Sequence, residues 1–564
     1  MLSLPFSTAV WSGILRSRLR VPELSRRALS FICKGKSIAQ DDLFDYTNGR
    51  FLTREKEARE RRYLQFDVAR LCDVAASAGS KSKSPIQAIE KMEGGFNRAL
   101  LMKKEDGTEV IAKLPFAISG PPKYTTATEV AVLTYVNQHT DISVPKVLTW
   151  SSDASNPVGA EYIIMEKAAG TPLEKKWGEI NDCDHLTLIK KLCALEAELA
   201  SIKLPANGSL YLRRSMTDGE KHEALDASMD PAAQFCVGPS CERSWYRKEE
   251  AASLLTPFDT GPWKELSAFG IALVDREIAR AEQRTTAHQE RGPPRGSLEE
   301  QTTALKMAKE VFSKMDHKTL PGRFSGPTLW HRDLHLGNIY VDEDNPTEKV
   351  SIIDWQSTTI SPLFCQVRFP EFLKNNNHYE LGNDVLRLHD NFDRLNADDQ
   401  GITRFKHKRA SMAHAYEAAS GSKNKNIYNA LQLPSCFRNL VLRCGEVSEE
   451  GIVPLRACLI AIAGSWEEAG FKGRCPINFT EIDIEKHEQE CNEYLAYHRI
   501  HELARESLDT DSEGWVSPHD DFEMKCKQNI ELLQLIMDNS AEYGKTPQEI
   551  RRIWPFREGL DTVL

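Results

Sequence analysis

The sequence of 564 residues predicts a two-lobed α+β protein, with a small β-rich N-terminal lobe and a large, mainly helical C-terminal lobe. Short apolar segments separated by turn residues crowd into residues 86–167, which is typical of strands. From Leu186 onward, apolar residues recur mostly at helical spacing. In this second part, the stretch 329–357 is the one expected source of strands. These observations together indicate the fold class.

Composition narrows the class of protein. The hydrophobic share of 41% and the charged share of 27% are typical of a globular chain with a sizeable core. The net charge of −10 gives no support to nucleic-acid binding as the main role. No run of apolar residues approaches the length that spans a bilayer. The thirteen cysteines include no CxxC pair, and an odd number in a long chain favours reduced thiols.

The first forty residues differ in composition from the rest of the chain. They contain seven arginines and lysines but one acid, Glu23, together with frequent serines. A helix over this segment would place leucines on one side and arginines on the other, which is typical of a mitochondrial transit peptide. We therefore predict a transit peptide over residues 1–40. A disordered basic tail is the alternative.

Residues 41–85 are expected to form an N-terminal helical extension. Leu64, Val68 and Leu71 recur there at helical spacing. The polar stretch "GSKSKSP" at 79–85 then separates this extension from the β-rich lobe.

The N-lobe is expected to span residues 86–167 and to contain five strands and one helix. The Asp106-Gly107 pair predicts a hairpin between the second and third strands. The expected elements are strands over Ile86–Met92, Arg98–Lys103, Glu109–Leu114, Lys146–Trp150 and Glu161–Glu166, and a helix over Thr126–Gln138. Residues 168–564 are then expected to form the helical C-lobe.

Two acids and an amide stand out in "HRDLHLGNIYVDEDNPTEKVSIIDWQS". Asn338 lies a few residues after Asp333, and Asp354 directly follows the apolar run "VSII". A buried carboxylate is costly unless it is paired or coordinated. Carboxylate and amide oxygens are suitable ligands for Mg²⁺, which also binds phosphate oxygens of a substrate. We therefore predict that Asn338 and Asp354 bind a metal and that Asp333 lies beside a hydroxyl that attacks a phosphoryl group.

A lysine and a glutamate upstream fit the same chemistry. The string "EVIAKLP" places Lys113 in the third expected strand, and Glu129 falls in the expected helix. Lys113 in this position could contact phosphates, with Glu129 fixing its side chain. Because most Lys–Glu pairs are exposed and contribute little, the order of strand, helix and loop supports the prediction more than the pair itself.

Two further segments are candidates for nucleotide contacts. "EGGFNRAL" lies between the first two strands, where it could cover phosphates, although it is not GxGxxG and a plain hairpin turn is the alternative. "YIIMEKAAGTPL" has the place of an interlobe hinge, where backbone groups of Glu166 and Ala168 could meet an adenine edge. An ordinary strand-to-helix connection is the alternative there. The residues expected to cover the phosphates are Gly94, Gly95, Phe96 and Asn97.

The string "HRDLHLGN" at 331–338 matches the pattern H-R-D-L-x-x-x-N at every fixed position. With Lys113, Glu129 and "IIDWQ" in this order, the chain resembles the aminoglycoside phosphotransferase family, which has a protein-kinase-like fold. "DW" replaces DFG and no APE-type segment follows, which disfavours a conventional protein kinase. Segments such as "YTNGRFL" and "GPPKYTTATEVAVLTYV" further resemble the fungal mitochondrial branch of this family, the altered inheritance of mitochondria type.

The resemblance implies that Lys113 contacts nucleotide phosphates, that Asp333 is the catalytic acid–base residue, and that Asn338 and Asp354 bind magnesium. It implies ATP and Mg²⁺ as cofactors and a small molecule as the acceptor. The predicted function is ATP- and Mg²⁺-dependent phosphate transfer to a hydroxyl of that molecule in mitochondria, with the matrix as the expected compartment. The alternative is a nucleotide-binding pseudokinase with a role in mitochondrial maintenance through partners.

Overall fold

The computed structural model describes residues 29–79, 83–246, 258–283, 293–315, 325–374, 381–382 and 392–557. Residues 1–28, which make up most of the predicted transit peptide, lie outside this part of the chain. None of the helices in the described ranges is both long and apolar enough to cross a bilayer. All thirteen cysteines are free thiols, as the sequence predicts.

The described ranges contain seventeen strands, many of them short. They are β1 Ser30–Cys33, β2 Lys36–Ser37, β3 Arg50–Phe51, β4 Ile86–Glu93, β5 Asn97–Lys104, β6 Glu109–Pro115, β7 Val147–Ser151, β8 Tyr162–Glu166, β9 Thr171–Pro172, β10 Ser209–Leu212, β11 Glu223–Ala224, β12 Phe235–Gly238, β13 Pro327–Leu329, β14 Ile339–Val341, β15 Val350–Ile352, β16 Ile360–Pro362 and β17 Trp515–Val516.

The α-helices of the same ranges lie mostly after residue 172. They are α1 Glu55–Glu60, α2 Val68–Ser77, α3 Tyr124–His139, α4 Leu173–Lys176, α5 Asp182–Ser201, α6 Leu266–Gln283, α7 Leu298–Lys314, α8 Leu363–Gln366, α9 Ala397–Lys423, α10 Lys425–Gln432, α11 Ser435–Gly445, α12 Val447–Glu450, α13 Val453–Ser465, α14 Glu481–Leu508, α15 Phe522–Asp538 and α16 Pro547–Ile553.

The small lobe is built on a seven-stranded sheet with the order β2-β1-β4-β5-β6-β8-β7. Five of its seven strands, β4 to β8, and α3 lie where the sequence predicts them. The predicted hairpin is also confirmed: β5 pairs antiparallel with β6, and Gly107 in the turn has φ +85°, which favours glycine. The α+β, two-lobed prediction is therefore correct.

The two faces of this sheet are covered by different parts of the chain. Ala112 and Leu114 of β6 pack in a core that includes Leu71 and Ala75 of α2. Because side chains alternate along a strand, Lys113 points to the opposite face, where α3 lies. The alternation therefore separates an apolar face from the face that holds the candidate site.

The extension before the N-lobe takes part in the sheet. β1 runs parallel to β4, with Ser30 opposite Ala88 and Cys33 opposite Lys91. Residues 30–33 and 36–37, which lie in the segment predicted as transit peptide, are therefore strands in this structure.

The large lobe is mainly helical, but it contains strands that the sequence analysis missed. β10, β12 and β11 form a three-stranded sheet beside α3. The expectation that only 329–357 supplies strands after Leu186 is therefore wrong. All four residues of β10 and of β12 are buried, so these short strands lack the alternation of apolar and polar residues that marks a half-exposed strand.

The C-terminal part of the chain returns to the N-terminal extension. β17 pairs with β3, with Trp515 opposite Phe51. Leu52 packs in one apolar cluster with residues of α14, α15 and α16, among them Ile500 and Ile550. The last elements of the chain therefore support the small lobe directly.

Candidate active site

Lys113 lies at the centre of the candidate site. Its ammonium Nζ is 2.6 Å from Oε1 of Glu129 and 2.6 Å from Oδ1 of Asp354. Glu129 comes from α3 and is 3% exposed, and Asp354 follows β15 in the large lobe. Three residues that the sequence predicts to share one site are therefore in direct contact, across both lobes.

The charges of this trio depend on one another. Burial lowers the pKa of Lys113, but the carboxylates of Asp354 and Glu129 outweigh this effect and raise it. Burial raises the pKa of Asp354, yet the Lys113 ammonium holds the pKa below its ordinary value. Burial, together with the Asp354 charge, raises the pKa of Glu129 although it also contacts Lys113. Lys113 is therefore firmly cationic beside an ionised Asp354.

The backbone of Asp354 has an unusual conformation. Its φ is +60°, in the left-handed region that non-glycine residues rarely adopt. The preceding residue, Ile353, donates its backbone N–H to the carbonyl oxygen of Asn338 at 3.0 Å. The end of β15 is thereby held to the start of β14, and the strained turn aims the Asp354 carboxylate at Lys113.

Asp333 and Asn338 lie in the loop before β14. The Asn338 side-chain Nδ2 donates to the backbone carbonyl of Asp333 at 2.9 Å, and the backbone N–H of His335 donates to the same oxygen at 3.1 Å. The side chain of Asp333 is 76% exposed. The loop is therefore fixed through the backbone of Asp333, and its carboxylate remains accessible.

His331 holds this loop from the inside. Its Nε2 lies 3.0 Å from the carbonyl oxygen of Ile353, and its ring packs edge-on against Trp355 with centroids 4.8 Å apart. Burial lowers the pKa of His331, so the ring is neutral near pH 7. This contact ties the segment before Asp333 to the segment before Asp354.

The donor set at Asn338 and Asp354 fits a magnesium ion. Because Nδ2 of Asn338 is engaged, the amide presents its Oδ1 as the available ligand atom. Within the described residues, no group of three His, Cys, Asp or Glu side chains could hold a metal ion. One carboxylate and one amide are the kind of partial set that Mg²⁺ takes when phosphate oxygens and water complete its shell.

The predicted phosphate turn lies between β4 and β5. Gly94 donates its backbone N–H to the carbonyl oxygen of Asn97 at 3.1 Å, and an added Cβ at Gly94 or Gly95 would meet nothing within 4 Å. Asn97 donates to the side chain of Gln356, two residues after Asp354. The turn is therefore tied to the segment that follows Asp354.

Phe96 at the tip of this turn is 41% exposed and lies under the guanidinium of Arg243, 4.6 Å from the ring centroid. Its carbonyl oxygen accepts from the backbone N–H of Phe116 at 2.9 Å and from the Ser119 hydroxyl at 3.0 Å. Hydrogen bonds and a cation–π contact therefore fix the turn, which does not have the run of glycines seen in GxGxxG.

Arg62 supports the same turn from the N-terminal extension. The side chain is 4% exposed, and its Nε donates to the carbonyl oxygen of Gly95 at 3.1 Å. The guanidinium also forms a salt bridge with Glu513, close to β17. A contact between the first and last parts of the chain therefore reaches the predicted phosphate turn.

Replacement of Arg62 by glutamine is expected to weaken nucleotide binding roughly tenfold, because a buried charge-assisted hydrogen bond contributes about 1.5–3 kcal/mol. Nucleotide affinity measured by titration calorimetry tests this. Glu513→Gln is the matched variant, because it removes the ion pair but retains the hydrogen bond from Arg62 to Gly95. A smaller loss of nucleotide affinity is expected for it. Unchanged affinity in Arg62→Gln would contradict the support role.

The predicted hinge joins the lobes without touching the trio. Glu166 at the end of β8 is exposed, and its backbone N–H donates to the carbonyl oxygen of Lys146 at 2.9 Å. Ala168 is half-buried. Gly170, at φ +85°, packs so closely that an added Cβ would lie 2.1 Å from the carbonyl oxygen of Val341. β9 then pairs with β14, which joins the hinge to the loop of Asp333 and Asn338.

Glu196 of α5 lies behind the loop that carries Asp333. It is 5% exposed, and one of its oxygens accepts the Tyr416 hydroxyl at 2.7 Å. Burial raises the pKa of Glu196 to about 8, so the group is mostly protonated near neutral pH. A neutral carboxyl therefore forms part of the wall beside the site.

The raised pKa of Glu196 makes stability depend on pH. The folded state holds this proton up to about pH 8, whereas the unfolded value is 4.5, so stability falls as pH rises between these values. Glu196→Gln is expected to raise the free energy of unfolding near pH 7 by ~3 kcal/mol relative to wild type, with little change at pH 4. Urea unfolding across this range measures the difference. Glu485→Gln, an exposed control on α14, should leave the slope unchanged.

Several residues at the site escaped sequence analysis. Arg62 contacts Gly95 and pairs with Glu513, and no local pattern marks either residue. Gln356, which contacts Asn97, lies in "IIDWQ" but was not singled out as a site residue. Glu196 did leave a signal, because it is an acid on the apolar side of "LCALEAELA", between Leu192 and Leu199. A buried acid on a helix face is a candidate for an altered pKa.

The fold and the site define a class of protein: two lobes of kinase-like architecture with an exposed acid, a buried lysine–glutamate pair and a second acid at their junction. Residues 89–367 match the sequence model of the phosphotransferase enzyme family, APH. This part of the chain is therefore similar in sequence to that phosphotransferase family.

Proteins of similar sequence are found in fungi, and proteins of known structure with a similar fold are found in bacteria. A subtelomeric hrmA-associated cluster protein of Aspergillus fumigatus is 29% identical over 84% of this chain and 97% of its own length. The altered inheritance of mitochondria protein 9, mitochondrial, of Saccharomyces cerevisiae is 23% identical over 86% of this chain and 87% of its own. The macrolide 2'-phosphotransferase MphH of Brachybacterium faecium, a solved structure, is 13% identical with a TM-score of 0.30, covering 73% of this chain and 99% of its own.

Proposed function

We propose that this protein transfers a phosphoryl group from ATP, with Mg²⁺, to a hydroxyl of a small molecule. The observation that carries the proposal is the contact of Lys113 with both Glu129 and Asp354, at 2.6 Å each. A fixed cation beside an ionised acid, with an amide ligand and an exposed acid on the adjoining loop, suits phosphoryl transfer, which depends on positioning and charge.

Each residue of the site has a distinct part in this proposal. Lys113, fixed by Glu129, would contact the phosphates of the nucleotide. Asp354 and Asn338 would hold Mg²⁺, which neutralises charge on the phosphates when it is bound. Asp333 would orient the acceptor hydroxyl and accept its proton. The turn at 94–97 would exclude water from the phosphates.

The test uses the full chain, purified and incubated with ATP labelled in the γ-phosphate, Mg²⁺ and a mitochondrial metabolite extract. The expected result is a labelled small molecule that forms only when Mg²⁺ is present. Labelling of protein alone, or transfer that is unaffected by chelation of Mg²⁺, would contradict the proposal. The fractionated product would identify the acceptor.

A nucleotide-binding pseudokinase is the second candidate, and one observation favours it. The turn at 94–97 lacks the GxGxxG glycines and is held by Arg62, Ser119 and Gln356. Nucleotide binding without transfer to any molecule of the extract would favour this candidate. Its role in mitochondria would then depend on binding partners.

We also infer that the protein works in mitochondria, most simply in the matrix. The name of the Saccharomyces cerevisiae relative supports this location, as does the basic composition of residues 1–40. Fusion of these residues to a fluorescent reporter is expected to direct it to mitochondria, and the reporter should resist protease after rupture of the outer membrane. A diffuse cytosolic signal would contradict the inference.

A further inference from the structure

Asp333 and the segment from Arg368 to Lys374 line a common cavity. Its volume is about 220 Å³, and its described lining includes Arg332, Arg368 and Lys374 as well as Asp333 itself. The cavity is large enough for a small molecule and opens at the carboxylate proposed to receive the acceptor proton. It is therefore the natural place for the acceptor.

The cavity is lined by three cationic side chains, Arg332, Arg368 and Lys374, and besides Glu196 by two acids, Asp333 and Glu371. Glu371 forms an ion pair with Lys374, and Glu242 lies 3.9 Å from Arg332. Arg368 adds a further cation, and its guanidinium donates to the backbone carbonyl oxygen of Arg332. Glu196, the third acid in the wall, is mostly protonated near pH 7 because burial raises its pKa to about 8.

Arg332 and Arg368 repel one another in this arrangement. Burial, followed by the neighbouring Arg332 charge, lowers the pKa of Arg368, and the carboxylates of Asp333 and Glu371 oppose this shift. An anion bound at Arg368 would offset this repulsion, and guanidinium binds phosphate and carboxylate through two parallel hydrogen bonds. The same positive charges would repel a polycationic acceptor.

We propose that this cavity is the acceptor subsite and that the acceptor carries an anionic group, a phosphate or a carboxylate, which Arg368 and Arg332 bind beside the reacting hydroxyl. This inference rests on the proposed phosphotransferase function. The anionic group would also explain why cations surround Asp333: they offset the repulsion between its carboxylate and a negatively charged acceptor.

The test measures binding of three matched probes to the full chain with ADP and Mg²⁺ present: glycerol 3-phosphate, glycerate and glycerol. The two anions are expected to bind and glycerol is not. Comparison of the two anions distinguishes a phosphate from a carboxylate. Arg368→Gln is expected to weaken anion binding roughly tenfold or more, since a hydrogen bond to a charged group contributes about 1.5–3 kcal/mol.

Two further variants distinguish the effect of the Arg368 charge on anion affinity from an effect of disturbed structure. Arg368→Lys retains the positive charge and should restore part of the affinity, and Arg70→Gln, an exposed residue of α2, should leave the affinity unchanged. The proposal is overturned if neither anion binds, if glycerol binds as well as the anions, or if Arg368→Gln leaves anion affinity unchanged.

The same experiment distinguishes this inference from the proposed function. Anion binding that depends on Arg368, without phosphate transfer to any molecule, would support the subsite and contradict the phosphotransferase. Transfer from labelled ATP to a neutral or cationic molecule would support the phosphotransferase and contradict the subsite.

Discussion

Asp333→Ala is expected to lower the rate of phosphate transfer by about 10²–10⁴-fold, because a positioned general base contributes about that much. The side chain is 76% exposed, and the loop is held through its backbone oxygen, which the substitution retains. Binding of Mg²⁺-nucleotide and the free energy of unfolding should therefore stay close to wild type. Single-turnover transfer and nucleotide titration on the same preparation measure both quantities.

The control for this substitution lies nearby. Asp344 is an exposed acid in the turn between β14 and β15, so Asp344→Ala makes the same chemical change away from the cavity. Transfer should be unaffected there. Equal turnover in Asp333→Ala and wild type would end the assignment of Asp333 as the base, whatever the nucleotide affinity.

Asp354→Asn is expected to reduce transfer by at least ~10²-fold, the loss typical when one electrostatic contact to the developing charge is removed. Asparagine tolerates the left-handed backbone that φ +60° requires, so the turn after β15 should retain its shape. The substitution removes the carboxylate proposed for Mg²⁺ and also removes one of the two acids on Lys113. The Mg²⁺ concentration needed for half-maximal nucleotide binding should rise.

Glu129→Gln is the matched variant for this experiment. It removes the other acid from Lys113 but leaves Asp354 and Asn338 intact. Nucleotide affinity should fall while the Mg²⁺ dependence remains that of the wild type. If Asp354→Asn and Glu129→Gln show the same Mg²⁺ dependence, Asp354 is not a metal ligand.

The central part of the fold and site could be predicted because its signals are local. The strand with Lys113, the helix with Glu129 and the loop at 331–338 each have a short pattern of their own. Their order along the chain then indicates the architecture, and the structure brings Lys113, Glu129 and Asp354 into contact.

The missed features depend on pairing across long separations. β10 and β12 are four residues each and fully buried, so neither length nor alternation distinguishes them from other apolar segments. Ser30–Cys33 lies within the predicted basic leader, and composition cannot show that this segment has a partner in β4. The contact of Arg62 with Glu513 joins positions 451 apart in sequence, for which a single sequence has no signal.

The pairing of β3 with β17 also has a consequence for the order of synthesis. Asn48 accepts a hydrogen bond from the Trp515 indole, 467 positions later in the chain. At about 5–20 residues per second, a ribosome takes on the order of half a minute to a minute and a half to make the intervening chain. Over that interval β3 lacks this partner and Arg62 lacks Glu513. A nascent chain that stops before Glu513 would lack the ion pair to Arg62, the residue that donates to the predicted phosphate turn.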